Sequence, residues 1–160
     1  MDCLKQIFNQ DANFFLIDQQ LEGFKAILET SEDEQETKVL IDGTKASTKA
    51  ELMEEFYAKF DFPDYFGRNW DALYDSLTDC LWSLDDDQYL LIFTNADKLL
   101  SGENDTELSN LFEILKMTVE DVSQEDCDLK MKIIFLLKDP ENSHLNTAIL
   151  NKGLSAITFR

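Results

Sequence analysis

Short apolar runs alternate along this chain with segments of helical periodicity, and this alternation constrains the fold more than any other feature. The runs have the length and the aliphatic and aromatic content of buried strands. Strands that alternate with helices pair in parallel through right-handed crossovers. The sequence therefore predicts an α/β fold with a small parallel sheet packed by helices. The predicted strands are residues 14–17, residues 39–41, Gln88–Thr94, Lys130–Leu137 and Ala156–Phe159.

Helical periodicity fills the segments between these runs. Thr48 and Glu51 have the spacing of a capping box, which predicts that a helix begins there. Asn69 is a suitable N-cap for a further helix that runs to about Cys80. A short helix in the tail is predicted to end at Gly153. Apolar positions at helical spacing are Leu21, Phe24, Ile27 and Leu28, then Leu52, Phe56 and Phe60, and then Leu108, Leu111, Phe112, Leu115 and Val119.

The length of 160 residues fits a single domain with extensions. A charged stretch at residues 31–36 (SEDEQE) predicts a linker or an exposed turn. We therefore expect a central domain over residues 38–138, an N-terminal extension over residues 1–37 and a C-terminal extension over residues 139–160. The extensions could add strands to the sheet, widen an interface or mediate self-association, and the sequence leaves these roles open.

The net charge is strongly negative: the chain has 33 acidic and 14 basic residues, which give a net charge of −19. A field of this sign repels nucleic acid and anionic membranes, and it speeds encounters with basic proteins. We therefore expect a basic protein partner, without direct contact to nucleic acid or membrane. Solubility alone would also account for the charge.

Cysteine usage and hydropathy predict a cytoplasmic protein. The three cysteines, Cys3, Cys80 and Cys127, form no C-x-x-C pair, and no secretory leader is visible. An odd number of cysteines without such a leader favours reduced thiols. The apolar stretches are too short for a membrane span.

Patterns of catalysis and cofactor binding are absent from the sequence. His144 is its one histidine, and neither a nucleophile–histidine arrangement nor a glycine-rich phosphate loop can be identified. The run of aspartates at residues 85–87 lacks the loop-spaced partners of a calcium motif, which favours a solvated turn. We therefore expect no cofactor, no metal and no enzymatic activity.

The segment at residues 62–79 (FPDYFGRNWDALYDSLTD) is the most informative one. If Asn69 caps the helix, Trp70, Leu73, Leu77 and Cys80 share one apolar stripe that faces the core. The opposite side carries polar residues, and Tyr65 in the preceding loop can project over it. These residues are Asp71, Tyr74, Asp75 and Thr78, and Asp79 extends their row by a turn.

Asp71 and Asp75 allow two interpretations. Like charges four residues apart mildly destabilise a helix unless a cation is present, which favours a binding role. Yet Asp71 in the first turn also favours the helix dipole, and solvated acidic faces are common. The residues alone therefore leave both interpretations open.

The run PDYFGRNWDALYDSLTD resembles the barstar family, whose pattern is [LF]-P-x-Y-[YF]-G-x-N-x-D-A-L-x-D-x-L. The resemblance extends more loosely from KVLIDG at residues 38–43 to CDLKMKIIFLL at residues 127–137. It implies a barstar-like fold of two or three layers. Such a fold has three core strands in a parallel sheet, open to extension by the terminal strands, and helices packed against it. It also implies an intracellular ribonuclease inhibitor.

The resemblance further implies which residues bind a partner. In the family, the helix after the Y-[YF]-G loop plugs the cationic active site of the ribonuclease. Asp75 matches the central aspartate of that plug, and Asp71 matches the aspartate one turn earlier. Tyr65 matches an aromatic residue that packs beside the catalytic histidine. The full predicted set is Tyr65, Phe66, Gly67, Asn69, Asp71, Tyr74, Asp75, Asp79 and Glu120, with Asp121 as the alternative to Glu120.

This chain departs from the family pattern at three places. Arg68 replaces a family glutamate, which would alter charge complementarity. Cys80 stands where the family has an aromatic residue, although Trp82 is close by. The spacing before Cys127 leaves the interface residue of the long helix undecided. These departures suggest a target enzyme other than that of the type member.

The predicted function is inhibition of a basic extracellular ribonuclease by a chain that is monomeric when free and binds one to one. An immunity protein against an interbacterial nuclease toxin would use the same mechanism. A different class of alternative is an acidic binding module or nucleic-acid mimic without inhibitory activity. An acid–base pair of Asp71 and Asp75 is disfavoured, because these carboxylates lie on an exposed helix face rather than in a cleft.

Overall fold

The computed structural model describes residues 3–24, 36–85, 87–124, 127, 129–141 and 143–159. This part of the chain contains five strands and, besides the helical residues 22–24, five α-helices. The strands are β1 (Phe14–Asp18), β2 (Glu36–Asp42), β3 (Gln88–Thr94), β4 (Lys130–Leu137) and β5 (Ala156–Phe159). The helices are α1 (Cys3–Phe8), α2 (Lys49–Lys59), α3 (Trp70–Trp82), α4 (Asp105–Val122) and α5 (His144–Asn151), with 3-10 turns at Gly43–Lys45 and Ala96–Lys98.

The five strands form one sheet in the order β2-β3-β4-β1-β5. Every pairing is parallel; Phe14 of β1, for example, is in register with Ile133 of β4 and with Ala156 of β5. The α/β prediction is confirmed. Strands β2, β3 and β4 are the three core strands, and the N-terminal and C-terminal segments each add one strand beyond β4.

Most predicted elements are present where the sequence placed them. The capping box is confirmed, because the Thr48 hydroxyl accepts a hydrogen bond from the Glu51 amide. Helix α1 was not predicted, since its six residues span fewer than two turns and give too short a period. Most of the helix predicted over residues 21–28 lies outside the described residues, although residues 22–24 are described and are helical. The boundary predicted at residues 31–36 also lies mostly outside them.

Side chains alternate between the two faces of the sheet, so each face builds its own apolar cluster. In β3, Leu91 and Phe93 belong to the cluster under α2, α3, α4 and α5, whereas Leu90 and Ile92 belong to the cluster on the opposite face. Ile7 of α1 packs into that second cluster. Each fully buried side chain of this size contributes about 1.5–3 kcal/mol relative to exposure. The fold therefore has helices on both sides of the sheet.

Lys132 ties the N-terminal segment to the central strand β4. Its side chain is 5% exposed and carries a charge on the second face of the sheet. The ammonium donates hydrogen bonds to the carbonyl oxygens of Gln10 and Ala12 at 2.7 Å and to Asn13 Oδ1 at 3.3 Å. Burial lowers the pKa of the Lys132 ammonium. Residues 10–13 are therefore joined to the sheet by polar contacts as well as by packing.

The turn after β2 is built around Asp42 and Gly43. Asp42 Oδ1 accepts hydrogen bonds from the Thr44 amide at 3.0 Å, from the Thr44 hydroxyl at 2.7 Å and from Asn95 Nδ2 at 3.2 Å. A Cβ at Gly43 would lie 2.2 Å from the carbonyl oxygen of Asn95. Glycine is therefore required here for the close approach of the β2 and β3 turns. No helix of the described residues has the length and apolarity to cross a membrane.

Candidate partner-binding surface

Helix α3 begins at a well-defined cap. Asn69 Oδ1 accepts a hydrogen bond from the Ala72 amide at 2.8 Å, and Asn69 Nδ2 donates to the Gly67 carbonyl at 3.2 Å. A Cβ at Gly67 would come within 3.2 Å of the Ala72 side chain, so the loop passes close to the first turn. Gly67 and Asn69 therefore set the start of α3, and the predicted N-cap at Asn69 is confirmed.

The buried stripe of α3 consists of Leu73, Leu77 and Leu81, all fully buried. Trp70 is half-buried, and its indole N–H donates to Glu107 of α4 at 2.8 Å. Cys80, which was predicted to complete this stripe, packs against the same core cluster, and Leu81 is the fully buried residue at the end of the stripe. Cys80 is half-buried beside the stripe, and burial raises the pKa of its thiol.

The opposite side of α3 carries an acidic ridge, formed by Asp71, Asp75 and Asp79. All three side chains are exposed. None of them forms an ion pair with a basic side chain in the part of the chain that the structure describes. The last turn of α3 also lacks a basic residue, although a cation there would be favoured by the helix dipole. The ridge is therefore negative and uncompensated along about two turns of the helix.

A groove of about 520 Å³ runs between α3 and the loop that precedes it. Tyr65, Asp75 and Asp79 line this groove. The Tyr65 side chain is 86% exposed. The structure thus brings the predicted aromatic residue of the loop and two carboxylates of the ridge onto one surface.

Tyr74 lies between α3 and α4 rather than projecting into solvent. Its side chain is half-buried, and its hydroxyl donates a hydrogen bond to the Asp121 carboxylate near the end of α4. Asp121 also lines a groove of about 550 Å³ together with Asp79 and Trp82. Glu120 is exposed but does not line the grooves along α3 described here. Asp121, rather than Glu120, therefore borders the acidic ridge.

Phe66 lines the same groove as Tyr65 and Asp75, but it is buried at its base. Its side chain is 4% exposed and packs on the rings of Phe62 at 5.0 Å and Tyr57 at 6.4 Å between centroids. The loop needs an apolar anchor, and Phe66 supplies it while its neighbour Tyr65 points outward.

Arg68 does not add a free cation to this surface. Its Nε donates to Glu54 Oε1 of α2 at 2.5 Å, and its guanidinium lies 4.8 Å from the centroid of the Tyr57 ring. The hydrogen bond to Glu54 raises the pKa of Arg68. Sequence reasoning missed Glu54, Tyr57 and Asp64 as residues that shape the loop, because helix spacing does not show which face of α2 meets it.

Metal-binding geometry is not found on this surface. Among the described residues, no group of three or more histidine, cysteine, aspartate or glutamate side chains is placed to hold a metal ion. The carboxylates of the ridge instead follow one another along a single helix, at intervals of about 6 Å for four residues. Such a row suits several separate cationic side chains better than one ion.

This chain is similar to known proteins in sequence and in fold. A stretch of 41 residues is 49% identical to the protein named "Putative ribonuclease inhibitor YrdF" of Bacillus subtilis (strain 168), and it covers 26% of this chain and 45% of that protein. Among solved structures, the crystal structure of Cdc6p from Pyrobaculum aerophilum matches 99% of this chain with a TM-score of 0.60. That match has 14% identity and covers 42% of the Cdc6p chain, so it shows a shared fold alone.

The matched region thus spans less than half the length of each of these two proteins. The match that assigns a family is broader. The model of the family described as Barstar (barnase inhibitor) covers residues 36–134, from β2 into β4, and includes the whole acidic ridge. Because that span is more than half of the 160 residues, this chain belongs to the Barstar family.

Proposed function

We propose that this chain inhibits a ribonuclease by placing the acidic ridge and Tyr65 in the enzyme's active site. The observation that carries the proposal is the uncompensated ridge beside an exposed tyrosine, within a member of the Barstar family. The name of the related Bacillus subtilis protein supports the same role.

The chemistry of the target favours such a surface. A ribonuclease stabilises the charge of a phosphodiester and its transition state with cationic side chains. Carboxylates that repeat about every 6 Å along a helix can pair with several of these cations at once. Because α3 is capped and packed before binding, little ordering entropy opposes the contact. Asp75 at the middle of the ridge is the proposed centre of the contact.

The neighbouring residues extend the contact around this centre. The exposed ring of Tyr65 would pack on apolar surface beside the active site, since a tyrosine offers a large contact area at low entropic cost. Asp121 would add a carboxylate from α4. The net charge of −19 would steer a basic ribonuclease towards the complex, which has one copy of each chain.

A cleavage assay with a panel of basic ribonucleases and nuclease toxins tests the proposal. The chain should suppress RNA cleavage by at least one enzyme at equimolar concentration, and the pair should elute together from a sizing column. An Asp75→Ala variant should lose this suppression. A Glu22→Ala variant is the matched control, because it removes one exposed negative charge from a segment whose Phe24 packs on the opposite face of the sheet. Undiminished cleavage without complex formation across the panel would contradict inhibition, and a complex that still cleaves RNA would indicate a binding module.

A further inference from the structure

The loop between α2 and α3, residues 60–69, is anchored on both sides of Tyr65. Phe62 and Phe66 are buried and pack ring against ring. The Phe62 amide donates to the Tyr57 carbonyl at 3.1 Å, and the Phe66 amide donates to the Pro63 carbonyl at 2.9 Å. The loop therefore has an apolar floor and a tight turn, with Tyr65 at its exposed tip.

Arg68 joins this loop to α2 through several contacts of one guanidinium. Nε donates to Glu54 Oε1, Nη1 donates to the Phe66 carbonyl at 3.1 Å, and the group stacks over the ring of Tyr57. The planar fork of arginine allows this combination, whereas a lysine would act as a point charge. Arg68 holds a φ of 52°, which a residue other than glycine seldom adopts. A backbone that is unfavourable for arginine is thus combined with contacts that only arginine can make together.

A second contact acts just before Tyr65. The Tyr57 hydroxyl donates to Asp64 Oδ1 at 2.8 Å. Tyr57 therefore binds Asp64 through its hydroxyl and stacks with Arg68 through its ring. The residues before and after the Tyr65 tip are both attached to α2.

We propose that Arg68 is a positioning residue that holds the Tyr65 loop in its binding conformation, through Glu54 and the Phe66 carbonyl. This inference rests on the proposed function for its effect on binding. A loop that is already ordered does not lose entropy on binding, and a protein whose competent state is only partly populated binds more weakly in proportion. The charge of Arg68 is paired with Glu54, so its contribution is conformational rather than a direct contact with the partner.

Two single variants separate positioning from a direct charge effect. For a cationic partner, Arg68→Ala alone would speed association if only charge mattered, and Glu54→Ala would slow it. If Arg68 positions the loop, both variants should slow association by about 5- to 30-fold. This factor corresponds to the conformational entropy lost when the backbone of one residue is ordered on binding. Dissociation should change little. The double variant should be no slower than either single variant, because the two side chains act as one unit.

These rates are measured by stopped-flow mixing with the inhibited ribonuclease, and Lys5→Ala is the charge-matched control for Arg68→Ala. Lys5 is exposed on α1, which packs on the opposite face of the sheet. Opposite signs for Arg68→Ala and Glu54→Ala, or additive losses in the double variant, would overturn the positioning role. Association rates that stay unchanged in both variants would overturn it as well, while leaving inhibition intact.

Hydrogen exchange of the free chain tests the same inference without any partner. The amides of Phe62 and Phe66 should exchange at least several-fold faster in both Arg68→Ala and Glu54→Ala than in the wild type. The Leu73 amide, which donates to Asn69 within the first turn of α3, should not change. Unchanged exchange at Phe62 and Phe66 would overturn the inference. If the wild-type chain inhibits no nuclease, the proposed function fails, and this exchange experiment still decides whether Arg68 orders the loop.

Discussion

Replacement of Lys132 by methionine tests how firmly the N-terminal segment is joined to the sheet. Methionine keeps the length of the side chain and its packing near Phe15 but removes all three hydrogen bonds of the ammonium. The carbonyls of Gln10 and Ala12 and the side-chain oxygen of Asn13 would then lack this donor. We expect the free energy of unfolding to fall substantially.

The size of this loss follows from two opposing effects. Hydrogen bonds that involve a charged group contribute about 1.5–3 kcal/mol each, which sets an upper limit of roughly 5–9 kcal/mol for three. Water can replace part of this, because Gln10 is exposed and Ala12 and Asn13 are half-buried. Removal of the charge also relieves the desolvation that lowers the pKa of Lys132. A net loss of about 2–4 kcal/mol remains.

Urea unfolding followed by tryptophan fluorescence and circular dichroism measures this loss. The matched control is Lys130→Met, the same substitution two residues earlier on β4 at an exposed position. It should change the free energy of unfolding by less than about 0.5 kcal/mol. If both variants lose the same stability, the contacts of the Lys132 ammonium do not hold the N-terminal segment, and the reasoning is refuted.

Three further outcomes are expected. Asp75→Ala should weaken the binding free energy of the inhibited complex by about 2–5 kcal/mol, the range found for buried charge pairs at interfaces, including that of barnase with barstar, while the free energy of unfolding stays nearly unchanged. If titration calorimetry shows that the dissociation constant rises by less than a few-fold, the docking face lies elsewhere. Added salt should slow association more than it speeds dissociation, because steering by the net charge is screened, and rates independent of salt would exclude such steering. Burial tends to raise the pKa of Asp42, but hydrogen bonds from Thr44 and Asn95 outweigh it and hold this pKa below 3.8. The stability from Asp42 is therefore present above pH 3.8 and disappears as the pH falls through the folded-state pKa. Asp42→Asn should lose less stability than the wild type as the pH is lowered below 3.8, measured by urea unfolding at each pH.

The main elements of the fold could be predicted from local patterns. The apolar runs predicted the first and last residues of β3 and β4 correctly, because a strand that is buried on both faces requires a continuous apolar sequence. The caps at Thr48 and Asn69 were predicted because these side chains can accept hydrogen bonds from amides three residues later. The exposed positions of Asp71, Asp75 and Asp79 followed from helical spacing alone.

Interactions between distant segments decided the rest. Both Tyr65 and Phe66 fit the loop pattern, and only packing against Phe62 and Tyr57 determines that Phe66 turns inward. The hydrogen bond from Tyr74 to Asp121 joins residues 47 positions apart and places Asp121 beside the ridge.

The terminal segments show the same division. The sequence alone determined that residues 14–17 and Ala156–Phe159 form strands, because strand formation follows from the local succession of apolar side chains. The tertiary structure decided that β1 lies between β4 and β5. It also decided that the Arg68 side chain pairs with Glu54 of α2 and is not a free cation. Strand order and side-chain pairing depend on free energies gained between residues far apart in the chain, and a local pattern carries no information about them.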